Sequence, residues 1–331
     1  MLRGVFRILE VPYTWAGRWR NRRYDTGKAE TCRVGVPVVS VGNLTLGGTG
    51  KTPMVEWLVR WFQERDTRPV IVSRGYGSKK GSQNDEALEL AQRLPGVPHL
   101  QNPNRVAAAQ EAIAAHDCQV IVLDDAFQHR RIARDLDIVL LDALEPFGFG
   151  HVFPRGTLRE PIAGLQRAGI VALSRADLLE PPERAEIREQ VEKLAPNALW
   201  MEVAHTAKAL ISASGRQEPL DSLAGKPVAA FCGLGNPAGF RHTLEACGYE
   251  LAGFCEFPDH HIYCEPDLVA LAKWVQSLDV EALLCTGKDL VKFDLDELGY
   301  RPLWALTVGL EILAGREELE GRLDSLLQGI R

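Results

Sequence analysis

The sequence predicts an α/β fold, a mainly parallel sheet flanked by helices with a second, smaller α/β domain, and three observations carry that prediction. β-Branched apolar runs alternate with amphipathic segments along most of the 331 residues. The connections between them are short, as crossover units require. One run, residues 36–41, enters a glycine-rich turn that opens a helix over 53–62, the strand–turn–helix context of a phosphate-binding loop.

That turn comprises Thr45, Leu46, Gly47, Gly48, Thr49, Gly50, Lys51 and Thr52. Its glycines let the backbone curl until several N–H groups converge on phosphate oxygens at a helix N-terminus, where the dipole favours anions. Lys51 suits the β- and γ-phosphates of ATP, and the Thr52 hydroxyl suits Mg²⁺. Pro53 stands in the first helical turn, where a missing N–H costs little. The common pattern opens with glycine where this chain has Thr45. The fold expected is therefore P-loop NTPase-like. The alternative, a glycine-rich turn that binds nothing, leaves the Lys51-Thr52 pair unexplained.

Composition sets the bounds. The chain is 46% hydrophobic and 25% charged, an ordinary globular balance with room for two domains. A net charge of −6 gives no overall basic footprint for nucleic acid. Residues 1–33 nevertheless carry eight basic residues against three acids, a net of +5 that leaves −11 for the rest. Seven cysteines without metal-ligand spacing read as reduced, buried thiols of a cytosolic protein. No apolar run approaches the roughly 20 residues that span a bilayer.

In chain order, Leu2, Val5, Phe6, Leu9 and Val11 recur at near-helical spacing, and Pro12 is expected to end or kink that helix. Trp15 and Trp19 follow among Arg18, Arg20, Arg22 and Arg23. Two readings are open for this segment: a helix lying in a membrane interface beside anionic lipid, or a helix packed on its own domain with a solvated basic face. Residues 69–73 form a second strand, and the turn after it offers Arg74 and Tyr76 to a ligand, or is a plain turn. Asp85 and Glu86 open a helix over 87–94, where acids ordinarily act as a cap. After a helix over 104–116, residues 119–123 form a strand ending in Asp124 and Asp125, a Walker-B-like pair suited to Mg²⁺. Gln128 and His129 stand just beyond.

Residues 137–142 and 169–173 are further strands, with a loop over 148–156 between them. The exit Ser174-Arg175-Ala176-Asp177 distantly resembles the base-reading motif of GTPases, but its first residue and its cation depart from it. A helix over 183–194 and a strand over 198–204 complete this part. A second unit begins near residue 205, with strands at 227–232, 282–285 and 303–308 and helices at 238–247, 266–277 and 316–330. Gly233-Leu234-Gly235 lacks the third glycine of a dinucleotide motif. Asp259-His260-His261 could serve proton transfer, but by itself such a loop is more often a surface turn or an incidental metal binder.

Taken together, these stretches resemble the tetraacyldisaccharide 4'-kinases, the lipid A kinases of Gram-negative bacteria. The resemblance rests on residues 40–52, 73–77, Asp85-Glu86, 123–129, 158–161, 257–260 and 286–289, in order along nearly the whole chain. Thr45 is usual in that family. The resemblance implies transfer of the γ-phosphoryl of ATP to the 4'-hydroxyl of an acylated glucosamine disaccharide 1-phosphate, at the cytoplasmic face of the inner membrane. It implies Asp85 as general base supported by His260, Lys51 on the transferring group, Thr52, Asp124 and Asp125 for Mg²⁺, and Arg74, Tyr76, Glu86, Gln128, His129, Arg159 and Glu160 toward the substrate. The expected layout is 1–33 as a membrane-associating segment, 34–204 as kinase core, and 205–331 as a smaller domain completing the active-site cleft. No nucleic acid and no obligate protein partner are implied. A different phosphate-loop enzyme, such as a GTPase that matures a metalloprotein, is the competing enzymatic reading and calls for Cys/His-rich segments. A nucleotide-gated membrane-surface protein is the non-enzymatic one and calls for ATP binding without transfer.

Overall fold

The computed structural model describes residues 2–75, 85–259 and 261–329; the side chains of residues 2–5, 8, 85 and 86 are outside the description. Along the chain run α1 (Leu2–Asp25), β1 (Val38–Asn43), α2 (Lys51–Gln63), β2 (Pro69–Ser73), α3 (Asp85–Arg93), β3 (His99–Gln101), α4 (Arg105–Ala115), β4 (Val120–Asp124), β5 (Leu136–Asp142) and β6 (Ile170–Ser174). There follow α5 (Pro181–Leu194), β7 (Leu199–Ile211), β8 (Gln217–Glu218), β9 (Pro227–Cys232), α6 (Pro237–Ala246), β10 (Glu250–Glu256) and α7 (Glu265–Gln276). The last elements are β11 (Ala282–Thr286), α8 (Gly287–Leu290), β12 (Glu297–Leu298), β13 (Arg301–Ala314) and α9 (Arg316–Gln328).

The chain forms two compact units, one of residues 1–77, 96–205 and 310–331, the other of 78–95 and 206–309. Two segments lie otherwise than a linear reading places them. Residues 78–95, with α3, fall in the second unit, and α9 falls in the first. The reason for α3 is its partners. Arg93 pairs with Glu89 at 2.6 Å and donates to the Val308 carbonyl at 2.7 Å, while Glu89 lies against Gly287.

In the first unit the strands run in the order β3-β2-β4-β1-β5-β6-β7 and every pair is parallel. Parallel strands are covered on both faces, and the central ones read as unbroken apolar runs for that reason. β1, β2, β4 and β6 are buried at every residue. Two apolar layers result, one around Leu44, Phe127, Val139 and Leu173, the other around Val70, Ile121, Ala109 and Ile132. Because all strands point one way, their C-terminal ends share one edge. In the second unit β10, β9, β11 and β13 are likewise parallel, with Phe231, Leu283 and Leu271 on one side and Ala230, Leu284 and Phe240 on the other.

α1 continues through Pro12 as one helix of 24 residues, contrary to the expected break. An interior proline removes one backbone hydrogen bond, but Pro12 sits on the exposed face and side chains tie the helix to the first unit on either side of it. Glu10 accepts from Val152 N–H and pairs with His151 and Arg155, while Asn21 donates to Glu160 at 2.7 Å.

Candidate active site

The glycine-rich turn leaves β1 and ends at Gly50, whose φ of 81° puts it in the left-handed region that glycine tolerates best. A side chain at Gly50 would collide with the His205 ring, which lies beneath the turn and is hydrogen-bonded through Nε2 to Ser174 Oγ at 3.0 Å. Arg175 clamps the turn from the end of β6. Its guanidinium donates to the Gly48 carbonyl at 2.6 Å and pairs with Asp142 at 2.6 Å. On the other side the segment at 157–159 runs beside the turn: Leu46 N–H donates to the Thr157 carbonyl and Arg159 N–H to the Leu44 carbonyl, both at 2.7 Å. That pairing brings Arg159, more than a hundred residues away in sequence, to the phosphate loop.

Three charged side chains meet there. Arg159 donates to both oxygens of Asp125, at 2.8 and 2.9 Å, and the Lys51 ammonium lies 3.6 Å from the same carboxylate. Burial alone would raise the Asp125 pKa, but Lys51 and then Arg159 outweigh it and hold the carboxyl below its usual value. Asp124, buried, is the last residue of β4 and pairs in register with Val41 of β1. The turn carrying Asp125 to Gln128 can cross β1 because residue 42 is glycine, since a side chain there would lie 2.6 Å from Phe127 Cβ. Asp125 and Arg175 both have φ above 50° without being glycine. Strained residues of this kind cluster at functional sites.

Around this centre stand further basic groups. Arg105, the first residue of α4, is buried; burial lowers its pKa, Arg74 lowers it further, and Asp125 and Asp124 oppose both. His129 is pushed down to about 4, first by burial and then by Arg105, Arg134, Arg131 and Arg74, so it is neutral at physiological pH. His205 is likewise held at about 4 by burial and by Arg175.

Lys51, Asp125 and Arg159 are thus in direct contact, with the Arg74 and Arg105 cations and the neutral His129 ring among the groups around them. Gln128 donates to the Asn43 carbonyl at 2.9 Å and to Glu160 at 3.2 Å. Glu160 departs from the substrate-contact expectation. It is fully buried and accepts from Asn21, Gln128 and Arg167 (2.8 Å), so it fastens α1 and the Gln128 turn together. Asp85 and Glu86 open α3, in the second unit. Tyr76 and His260 lie outside the described residues. The segment at 261–263 is anchored to its surroundings. Tyr263 donates to Asp289 at 2.9 Å, His261 pairs with Asp267 at 3.0 Å, and Lys292 donates to the His261 carbonyl at 3.0 Å.

Sequence reasoning missed Arg105 and His205, and it left Arg175 without a role. Arg105 and Arg175 follow the C-terminal ends of β3 and β6, and His205, within the long β7, lies just past the stretch of it that pairs with β6, so all three stand at the edge where ligands of such sheets bind. That rule would have found His205. Arg105 needed β3, whose three residues carry no strand signature.

Comparison with known proteins follows the same lines. A family model described as tetraacyldisaccharide-1-P 4'-kinase matches residues 2–328. A tetraacyldisaccharide 4'-kinase of Anaeromyxobacter sp. (strain K) is 40% identical, over 97% of this chain and 89% of that protein. The corresponding protein of Halothermothrix orenii is 34% identical, over 97% and 90%. The crystal structure of LpxK from Aquifex aeolicus in complex with ATP superposes with a TM-score of 0.80 at 28% identity, covering 98% of this chain and 99% of that one. On the strength of the match along its length, the chain belongs to the tetraacyldisaccharide 4'-kinase family.

Proposed function

We propose that this chain is an ATP-dependent kinase that transfers the γ-phosphoryl group of ATP to the 4'-hydroxyl of a tetraacylated glucosamine disaccharide 1-phosphate, a step of lipid A synthesis. The observation that carries this reading is the Lys51–Asp125–Arg159 cluster beside a glycine-rich turn at the start of α2, in a chain of this family. Phosphoryl transfer asks the protein mainly to position groups and neutralise charge. The loop amides and Lys51 do so for the phosphates, and Arg159 keeps Asp125 ionised beside Lys51.

Thr52 and Asp124 fit a Mg²⁺ ion by donor type, a hydroxyl and a buried carboxylate on neighbouring elements. Asp125 is already engaged by two cations, which favours Asp124 as the direct ligand. Bound there, the ion neutralises charge on the phosphate oxygens. In this reading Asp85, from the start of α3, takes the proton of the attacking hydroxyl and His260 supports it. Arg74, Tyr76, Glu86, Gln128 and His129 form the surroundings of the acceptor.

Attachment to the inner membrane's cytoplasmic face rests on α1. The half-buried positions of its last four turns are Glu10, Thr14, Gly17, Asn21 and Tyr24, a helical stripe that is mostly polar. Phe6, Leu9, Val11, Trp15 and Trp19 are exposed instead. Phe153, also exposed, packs edge-on against Tyr13 and extends this apolar surface. A helix that docks through polar groups and shows its apolar residues outward suits a membrane interface. No described helix is long and apolar enough to cross a membrane.

The test is transfer of label from γ-labelled ATP to tetraacyldisaccharide 1-phosphate in mixed micelles with Mg²⁺. A product labelled at the 4'-position, and its loss in Asp85→Asn with ATP affinity retained, is the expected result. ATP binding without transfer would overturn the kinase reading. Loss of ATP affinity alone in Asp85→Asn would make Asp85 a nucleotide or metal ligand.

A further inference from the structure

The last turns of α1, the turn that follows and Arg131 enclose a cavity of about 300 Å³. Trp19, Arg20, Arg23, Tyr24, Lys28 and Arg131 line it, and Glu30 is the one acid in its wall. Four cations therefore face one carboxylate. None of the four takes part in an ion pair among the described residues; Asp25, the acid at the end of α1, is held by Arg130 at 2.7 Å. Arg130 also donates to the Asn21 carbonyl and covers the Tyr24 ring. Its neighbour Arg131 is left to the cavity.

The wall is built rather than incidental. Cys32 N–H donates to the Arg131 carbonyl and Ala133 N–H to the Cys32 carbonyl, both at 2.8 Å, so the segment after α1 is pinned to the segment bearing Arg131. A helix C-terminus would ordinarily repel an anion through its free carbonyls. Here the carbonyls of Arg22, Arg23 and Tyr24 accept from Thr26, Ala29 and Gly27. Cation forks without acid partners match phosphate oxygens. The rim supplies the second half of the argument. Trp19 is 53% exposed and Trp15, one turn earlier, 68% exposed. Exposed tryptophans sit at the headgroup level of a bilayer, and basic groups beside them meet lipid phosphate.

We propose that this cavity binds the phosphate of an anionic phospholipid headgroup, which fixes the rotation at which α1 lies on the membrane. The inference rests on the membrane-surface reading above and adds a defined headgroup site to it. The occupant is a membrane lipid, distinct from the acceptor that is phosphorylated. A site of this kind recognises phosphate chemistry, whereas a diffuse basic surface responds to charge alone.

Flotation of the full chain with vesicles tests it. One set is phosphatidylcholine with roughly one lipid in five replaced by phosphatidylglycerol; a second carries the same charge on a carboxylate lipid. Wild-type protein is expected to prefer the phosphate vesicles. Arg131→Gln should lose about fivefold in affinity for those vesicles, the effect of one basic group near a membrane surface, and little for the carboxylate ones. Arg18→Gln, an exposed α1 residue outside the cavity, should weaken both sets equally. An unchanged melting temperature in Arg131→Gln confirms the fold. Equal losses on both vesicle types in Arg131→Gln, or none, overturn the headgroup site. Calorimetric binding of inorganic phosphate that disappears in Arg131→Gln while vesicle binding persists assigns the cavity to a free ion and overturns the lipid source. Wild-type protein that floats with no anionic vesicle removes the membrane reading itself, a failure separable from the others.

Discussion

Gly50→Ala offers the sharpest probe of the phosphate loop, because two independent costs meet at one position. An alanine held at a φ of 81° costs about 1–2 kcal/mol in backbone strain. Its Cβ also overlaps the His205 ring, so the ring must swing away and give up its 3.0 Å hydrogen bond to Ser174, worth about 1 kcal/mol. The loop can escape both costs by leaving the left-handed conformation, and the amides that converge on phosphate then diverge. A total of about 2–3 kcal/mol corresponds to a loss of roughly 100-fold in ATP affinity, read by titration with a fluorescent ATP analogue. The reasoning also fixes a partner. In Gly50→Ala/His205→Ala the steric part vanishes while the φ strain remains, so the double variant should bind ATP more tightly than the two losses summed, by about 1 kcal/mol. Gly50→Ala with affinity within about twofold of wild type, or strictly additive losses, would refute the account of why glycine stands there.

Other consequences are simpler to state. Lys51→Ala should abolish turnover with the fold retained, since in the proposed reading it removes the cation that neutralises the transferring group; wild-type turnover would remove the phosphate-loop assignment. Asp289→Ala should destabilise the second unit by about 3 kcal/mol in urea unfolding, because the fully buried carboxylate accepts from Gly233, Thr286 and Tyr263 and its loss leaves those donors unpaired. Stability should also fall with acid. His205 has a folded pKa of about 4 against about 6.5 unfolded, so below pH 6.5 the unfolded chain takes up the proton first. Its contribution is complete above pH 6.5 and shrinks as pH drops toward 4, by about 2 kcal/mol at pH 5. His129 works in the same direction, and His205→Asn should flatten the dependence of the urea midpoint on pH.

Local chemistry made the phosphate loop, the Asp124-Asp125 strand end and the central strands legible in the sequence, since each needs particular residue types at fixed spacing. What escaped was set by contacts that sequence distance hides. α3 reads as the next helix of the first unit, yet Glu89 and Arg93 bind it to Gly287 and Val308 of the second. Asp85, at the start of α3, therefore belongs to the second unit, where a linear reading puts it in the first. Glu160 looked like a ligand residue by family likeness, and only its full burial against Asn21, Gln128 and Arg167 shows that it is an internal tie. β3 was invisible because His99-Leu100-Gln101 has neither length nor β-branching.

α1 shows where hydrophobic periodicity stops being informative. An apolar stripe on a helix ordinarily marks the face that meets the core, and by that rule Leu9, Trp15 and Trp19 would point inward. The helix instead docks through Glu10 and Asn21, because the surface it meets presents His151, Arg155 and the buried Glu160. These contacts are polar and specific. Periodicity reports that a face is apolar but not which medium it meets, and only the charges on the docking partner decide that. The basic cavity at the end of α1 has the same origin. The carbonyls of Arg22, Arg23 and Tyr24 are satisfied and Asp25 is taken by Arg130, so the cations lining the cavity are left without those partners.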